Sequence, residues 1–225
     1  MLESFEKVPV KVYTTPTEGS NVLAAQIAKL IREKQAQNLP CVLGMATGAT
    51  PILLYKELVR MHKEEGLSFK NVITINLDEY YPIPRSAYQS YWSFMHRHLF
   101  DHIDIDPKNI NLPNSEWNKD ELKESCVAYE QTIEKIGGID LQILGIGKNG
   151  HIGFNEPGSS FHSKTRIIHL DQQTRMANLY EWHDLNKVPR TAITVGISSI
   201  MKAKKIVLLA WGNKAEIVAK AVEGD

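Results

Sequence analysis

The sequence lacks the long apolar runs and the excess of one charge that mark several classes of protein. Lys and Arg together number 26, and so do Asp and Glu, so the formal net charge is zero. Proteins that bind nucleic acid backbones usually carry a basic excess or a basic stripe. The longest apolar runs, such as residues 192–197 and 206–211, are far shorter than the roughly 20 residues that a membrane-spanning helix needs. We therefore expect neither nucleic acid nor a membrane as a partner.

The sequence is also poor in cysteine. Its only two cysteines, Cys41 and Cys126, lie in different segments without a CxxC spacing or a nearby histidine cluster. This spacing argues against a disulfide framework and against a structural metal site. The first residues include acids and no apolar stretch, which is not the pattern of a signal peptide. We therefore predict a cytoplasmic protein without a metal.

What the sequence does contain is an alternation of short β-branched runs with longer amphipathic stretches. With 225 residues, 43% hydrophobic and 23% charged, the chain has the composition of one globular domain. The alternation predicts an α/β fold, with one doubly wound, mostly parallel sheet and helices on both faces in a Rossmann-like arrangement. We predict strands at residues 8–14, 41–46, 72–77, 141–146, 165–170, 192–195 and 206–209. We predict helices at residues 21–37, 51–65, 88–100, 120–136 and 214–222.

Candidate sites follow from the ends of these strands, because an open parallel sheet binds ligands beyond its carboxyl ends, where the strand order reverses. The first candidate is the small-residue turn that follows residues 41–46, formed by Thr47, Gly48, Ala49 and Thr50 before Pro51. The hydroxyls and the helix N-terminus behind this turn suit a phosphate. An ordinary tight turn between a strand and a helix explains the same residues.

Two further strand ends carry titratable groups. Asp78 and Glu79 follow the third strand, where they could hold a metal, act as acid and base, or simply be solvated. The segment GIGKNGHIGFNEP (residues 145–157) places four glycines around His151, with Asn149 before it and Glu156 after it. A structural histidine in a glycine turn is one interpretation. A reactive histidine held by hydrogen-bonding neighbours is the interpretation that we favour.

Three segments together carry a resemblance to a known family. These are NLDEY (residues 76–80), SYWSFMHR (residues 90–97) and the glycine-rich segment at residues 145–157. They resemble the glucosamine-6-phosphate deaminases, which are related to the 6-phosphogluconolactonases. The resemblance implies a Rossmann-like domain that converts glucosamine 6-phosphate and water to fructose 6-phosphate and ammonia. It also implies that the reaction needs neither a metal nor an organic cofactor.

The resemblance assigns catalytic roles to four of these residues. Asp78 would be the general base that moves a proton from C2 to C1 of the sugar. His151 would move the proton during ring opening, with Asn149 and Glu156 orienting the imidazole and tuning its pKa.

Substrate binding is assigned in the same way. The turn at residues 47–50 and Lys214 would bind the phosphate, and Tyr91 lies where the family has a mobile lid. Many members have an arginine that helps to hold the phosphate where this chain has Tyr180. Arg175 is then the nearest candidate for a replacement cation.

Several alternatives remain open at this stage. A sugar-lactone hydrolase would use a histidine in the same glycine-rich segment, but it needs no base at C2, so Asp78 argues against it. A regulatory module that binds a sugar phosphate without turnover is the other alternative, and Tyr180 favours it. The family usually runs on past the position of Asp225, so we expect residues 1–225 to be a single catalytic domain, truncated at its C-terminus. A homo-oligomer is an open hypothesis.

Overall fold

The computed structural model describes residues 6–118 and 120–224, except for the side chains of residues 180 and 181. In this part of the chain, strands and helices alternate as an α/β protein requires. The strands are β1 (Cys41–Met45), β2 (Val72–Asn76), β3 (Asp78–Tyr81), β4 (Ile110–Asn111), β5 (Leu141–Gly145), β6 (Arg166–His169), β7 (Thr191–Thr194) and β8 (Ile206–Leu209). The helices are α1 (Pro16–Ala36), α2 (Ile52–Glu65), α3 (Tyr91–His98), α4 (Leu122–Lys135), α5 (Gln172–Ala177), α6 (Leu179–Trp182), α7 (Ile197–Met201) and α8 (Ala215–Glu223).

The central sheet has five parallel strands in the order β4-β2-β1-β5-β8. All five residues of β1 are buried, as expected for a parallel strand that is covered on both faces. Cys41 lies opposite Val72 on one side of β1, and Leu43 lies opposite Leu141 on the other. The predicted α/β class with a mostly parallel sheet is therefore confirmed.

A second, antiparallel sheet lies beside the first, in the order β3-β7-β6. The strands predicted at residues 165–170 and 192–195 belong to this sheet rather than to the central one. Leu77 joins the two sheets, because its amide donates to Met45 (3.1 Å) and its carbonyl accepts from Val195 (2.7 Å). The chain thus leaves the central sheet at Leu77 and immediately begins β3, a strand that the sequence analysis missed.

The strand predicted at residues 8–14 is wrong, because this segment has no strand structure. Its alternating valines do not reach the core: the side chain of Val12 is 90% exposed and that of Val8 is 49% exposed. A strand needs a partner for its backbone groups, and no strand of the described residues pairs with this segment.

Helix α1 begins at Pro16, five residues before the predicted start at Asn21. The Thr15 side chain accepts a hydrogen bond from the amide of Glu18 (3.1 Å), and Pro16 occupies the first helical position, where its missing N–H costs nothing. The helix buries Leu23, Ile27 and Ile31 among others. Seven apolar or small residues of α1 are therefore buried against the protein core, as the periodicity of the sequence predicts.

Candidate active site

The candidate site lies where the strand order of the central sheet reverses. From β1 the chain builds β2 and β4 on one side, and it then returns to add β5 and β8 on the other. The crevice between the carboxyl ends of β1 and β5 is where such a sheet binds ligands. The segment after β8 also reaches this edge, because the Trp211 indole donates to the carbonyl of Thr50 (3.1 Å). The turn at residues 47–50 also lies beside the glycine-rich segment, since a Cβ atom on Gly145 would lie 4.0 Å from the Thr50 side chain.

Asp78 reaches the same crevice from the second sheet. It lies opposite Thr194 in the register of β3 and β7, and its side chain is 6% exposed. A Cβ atom on Gly153 would lie 3.1 Å from Asp78 Oδ2 and 3.2 Å from Thr194 Oγ1. Gly153 also has a φ of +55°, a left-handed conformation that favours glycine. The fold thus presses the glycine-rich segment against the Asp78 carboxyl.

The Asp78 carboxyl is buried without compensation. No side chain or amide of the described residues donates a hydrogen bond to it. Burial, reinforced by the neighbouring charge of Glu79, raises the pKa of Asp78 from 3.8 to about 8. A carboxyl with such a pKa can accept and return a proton near neutral pH, which is what a general base requires.

His151 is oriented by a chain of hydrogen bonds that involves both predicted partners. The Asn149 amide donates to Glu156 Oε2 (2.9 Å), and Asn149 Oδ1 lies 2.7 Å from His151 Nδ1. An ionised carboxylate only accepts, so Asn149 directs its NH₂ group to Glu156 and its oxygen to the imidazole. His151 Nδ1 therefore carries the proton, and Nε2 keeps a free lone pair.

Burial sets the charge of this histidine. It lowers the pKa of His151, with an opposing contribution from Glu156 and a further lowering by Lys214. The imidazole is therefore neutral at physiological pH and can take up a proton through Nε2. Gly147 makes room for the ring, since a Cβ atom at this position would lie only 2.3 Å from His151 Nδ1.

Two residues that hydrogen-bond within the candidate site were missed by the sequence analysis. Thr174, the neighbour of Arg175 on α5, donates from Oγ1 to Glu156 Oε1 (2.6 Å). Asn155 donates from Nδ2 to the carbonyl of Val195 (2.8 Å), which ties the glycine-rich segment to the end of β7. The position of Asn155 inside the glycine-rich motif was a signal that could have identified it. Nothing in the sequence pairs Thr174 with Glu156.

The turn at residues 47–50, predicted to bind the phosphate, is open, and the N-terminus of α2 behind it is uncapped. Gly48 has a φ of +87° and open space around it. No side chain caps the N-terminus of α2, so its first amides can serve a ligand. On the other side of the crevice, Lys214 Nζ donates to the carbonyl of Ile146 (2.5 Å).

A cavity of about 260 Å³ adjoins Lys214, lined by Lys148, Asn213, Lys214, Glu216, Ile217 and Lys220. Burial lowers the pKa of Lys214, and the charge of Lys148 lowers it further. In the described residues, no carboxylate forms an ion pair with Lys148 or Lys214. Lys220, in contrast, is paired with Glu216 (2.8 Å). Lys148 and Lys214 thus face a common space in which the one lining carboxylate, Glu216, is already paired with Lys220.

Two predicted binding residues lie in packed surroundings. Tyr91, expected at a mobile lid, is 7% exposed in the first turn of α3. Its ring stacks on Phe154 at 5.8 Å and 12° and contacts Tyr80 at 5.0 Å, so Tyr91 is packed in an aromatic wall, and its place in a lid stays a prediction. Arg175 donates from Nη2 to the carbonyls of Leu185 (2.6 Å) and Val188 (3.0 Å). Its guanidinium thus holds a neighbouring segment, and its role toward phosphate stays a prediction.

Other predictions can be placed only in part. The side chain of Tyr180 lies outside the described part of the chain. Both cysteines are free and buried. Across the described residues, no three His, Cys, Asp or Glu side chains are grouped as metal ligands. None of the described helices is both long enough and apolar enough to traverse a bilayer.

Comparison with known proteins gives consistent results. The family model of glucosamine-6-phosphate isomerases/6-phosphogluconolactonase matches residues 14–225. A glucosamine-6-phosphate deaminase of Thermoanaerobacter sp. is 48% identical over 95% of this chain and 83% of its own length. One of Bacillus subtilis is 44% identical over 94% and 85%. A deaminase-like protein of Bacteroides thetaiotaomicron is 47% identical over 100% of this chain, which spans only 34% of that longer protein.

Solved structures agree with the sequence comparisons. The structure of a monomeric glucosamine-6-phosphate deaminase has a TM-score of 0.85 and 43% identity, covering 89% of this chain and 81% of that one. The 6-phosphogluconolactonase from Trypanosoma brucei has a TM-score of 0.73 with 19% identity, covering 95% and 86%. The second likeness shows the fold alone.

Proposed function

We propose that this chain, which belongs to the family of glucosamine-6-phosphate isomerases and 6-phosphogluconolactonases, converts glucosamine 6-phosphate and water to fructose 6-phosphate and ammonia. The observation that carries the proposal is the buried Asp78 carboxyl against Gly153, in the same segment as the oriented His151. A lactonase needs no base at C2, whereas an isomerising deaminase does. The deaminases that are 44% and 48% identical to this chain support the same choice.

The first step is the opening of the pyranose ring. His151 Nε2 takes the proton of the C1 hydroxyl and returns it to the ring oxygen as the C1–O5 bond breaks. The Asn149 oxygen, 2.7 Å from Nδ1, and the Glu156 carboxylate behind it stabilise the transient imidazolium. The product of this step is the open-chain aldehyde.

The second step is proton transfer between adjacent carbons. Asp78 removes the proton from C2 while the aldehyde oxygen at C1 takes up a proton given up by the protonated amino group, which gives an enolamine. Asp78 then delivers its proton to C1, which leaves a protonated ketimine at C2. Water adds to C2 and ammonia leaves. A pKa of about 8 for Asp78 matches this reversible transfer, because the carboxyl must bind the proton between the two events.

The phosphate would lie between the N-terminus of α2 and the cations of the opposite wall. Lys214 is the predicted cation, and we propose that Lys148 is a second one, since both line the same cavity. Lys148 would then supply the charge that Tyr180 does not. A phosphate dianion between two ammonium groups that have no ion pair among the described residues would relieve their mutual repulsion.

The test is a coupled assay for ammonia and fructose 6-phosphate with glucosamine 6-phosphate as the substrate and 6-phosphogluconolactone as the control. We expect both products from the amino sugar, with deuterium at C1 of fructose 6-phosphate when the reaction runs in heavy water. Hydrolysis of the lactone without release of ammonia would contradict the proposal.

We also propose that the protein acts in the cytoplasm. The support is that Cys41 and Cys126 are free and buried, as is usual for proteins of reducing compartments. A homo-oligomer stays a prediction, and light scattering of the purified protein would decide it. The related deaminase of known structure is described as monomeric.

A further inference from the structure

The two adjacent carboxyls of β3 have opposite surroundings. Glu79 is 1% exposed, and unlike Asp78 it is fully hydrogen-bonded. Its Oε1 accepts from the amides of Tyr80 and Tyr91, both at 2.9 Å, and its Oε2 accepts from the amide of Trp92 at 3.0 Å. Tyr91 and Trp92 are the first two residues of α3, and the next amide is capped by Ser90 Oγ (3.0 Å). Glu79 therefore closes the positive end of α3, where an anion is favoured.

We infer that Glu79 is a positioning residue, whose carboxylate fastens the start of α3 to β3 and so holds Tyr91 in the wall beside Asp78. The inference rests on the proposed function, because the position of Tyr91 matters for catalysis only if the neighbouring Asp78 is the base. Tyr91 stacks on Phe154 of the glycine-rich segment. One buried carboxylate thus connects the strand that bears the base with the helix that faces the histidine segment.

The charge of Glu79 also acts on Asp78 directly. It adds to the effect of burial in raising the pKa of Asp78. Among the described residues, the Asp78 charge in turn raises the pKa of the Tyr55, Tyr91 and Tyr129 hydroxyls, and the charge of Arg85 acts on Glu79. Burial raises the pKa of Glu79 itself to about 7, against the effect of its three amide donors. A neutral side chain at position 79 should therefore make Asp78 more acidic.

The experiment is Glu79→Gln in the full chain, with Glu130→Gln as the matched control. Glu130 is also buried (7% exposed) and accepts hydrogen bonds from Thr165 (2.7 Å) and Ser199 (2.7 Å), but it lies on α4, and its charge is not among the causes that raise the pKa of Asp78. Two quantities are measured. One is the pH profile of kcat, and the other is the titration of the Asp78 carboxyl by ¹³C NMR, which requires no turnover.

For Glu79→Gln we expect kcat to fall by about 10-fold. The acid limb of its profile and the Asp78 titration should both move to lower pH, by about one unit. Glu130→Gln should leave the acid limb and the titration in place. An Asp78 titration that stays unchanged in Glu79→Gln would overturn the inference. If the parent releases no ammonia, the proposed function fails, while the NMR titration still decides the charge effect of Glu79.

A second variant guards against misfolding of Glu79→Gln. Ser90→Ala loosens the same helix start without changing any charge, because it removes the hydrogen bond from the amide of Ser93. We expect it to lower kcat by about 3-fold and to leave the acid limb unchanged. If Ser90→Ala and Glu79→Gln both keep the full kcat, the position of the start of α3 has no part in catalysis.

Discussion

Replacing Asp78 by Asn should abolish turnover and at the same time stabilise the protein at alkaline pH. Loss of a general base typically lowers kcat by about 10²- to 10⁴-fold. The stability effect follows from burial: the pKa of Asp78 rises from 3.8 to about 8, and each pKa unit is worth about 1.4 kcal/mol. Ionising this carboxyl in the folded protein is thus disfavoured by on the order of 5 kcal/mol relative to the unfolded chain.

The sign of this effect determines its pH range. Because the folded-state pKa of Asp78 is raised, the folded protein keeps the proton that the unfolded chain has already lost, between about pH 4 and pH 8. The parent therefore loses stability as the pH rises through this window, whereas Asp78→Asn has no proton to lose. The difference in unfolding free energy between variant and parent should grow in favour of the variant across the window and level off above it.

The assay is urea unfolding of both proteins at several pH values from 5 to 9, together with kcat at the same pH values. In the parent, kcat/KM should rise toward about pH 8 as Asp78 becomes ionised. A stability difference that does not change with pH would show that Asp78 is not a buried, uncompensated carboxyl. A variant that keeps more than about a tenth of the parental kcat would remove Asp78 from the role of the base.

Three further substitutions test the rest of the site. Gly147→Ala should displace the His151 ring, because the new methyl group would lie 2.3 Å from Nδ1; we expect kcat to fall by at least about 10-fold, and an unchanged kcat would show that the ring need not lie there. Lys148→Gln should raise KM for glucosamine 6-phosphate by about 3- to 10-fold and leave KM for glucosamine unchanged. Lys220→Gln should change neither KM, because the Lys220 ammonium is already paired with Glu216 at 2.8 Å. Equal effects of the two variants would show that Lys148 does not bind the phosphate. Thr174→Val breaks the 2.6 Å hydrogen bond to Glu156 and should lower kcat by about 5- to 15-fold, as steady-state kinetics can determine; full activity would mean that this donor is dispensable.

The central sheet could be predicted from the sequence because its strands are short, continuous apolar runs that need only burial on both faces. β1 and β5 lie where residues 41–46 and 141–146 predict them. The same reasoning failed at residues 8–14, since alternating valines describe a half-buried strand only where a neighbouring strand accepts their backbone hydrogen bonds. Pairing is a property of the folded chain, and no local pattern reveals its absence.

Motif spacing was more informative for the site than for the fold. Asn149, His151 and Glu156 lie within eight residues of sequence, so a single segment can bring them together, and it does so at 2.7 Å and 2.9 Å. The partner of Glu156 on α5 is a different case. Thr174 lies 18 residues away, and only the path of the intervening β6 brings it back. Contacts of this kind depend on topology rather than on spacing.

The pair of carboxyls at residues 78 and 79 shows why a correct motif can still hide its chemistry. From the sequence alone, Asp78 and Glu79 look like two similar acids at the end of β2. The structure makes them the first two residues of β3, and successive side chains of a strand point to opposite faces. Asp78 therefore faces Gly153, and none of the described residues donates a hydrogen bond to its carboxyl. Glu79 instead accepts from the amide of Tyr80 and from the first two amides of α3. In the proposed mechanism Asp78 remains available as the base because the Glu79 side chain points to the opposite face of β3. The residue at which β3 begins therefore decides which of the two carboxyls faces the glycine-rich segment.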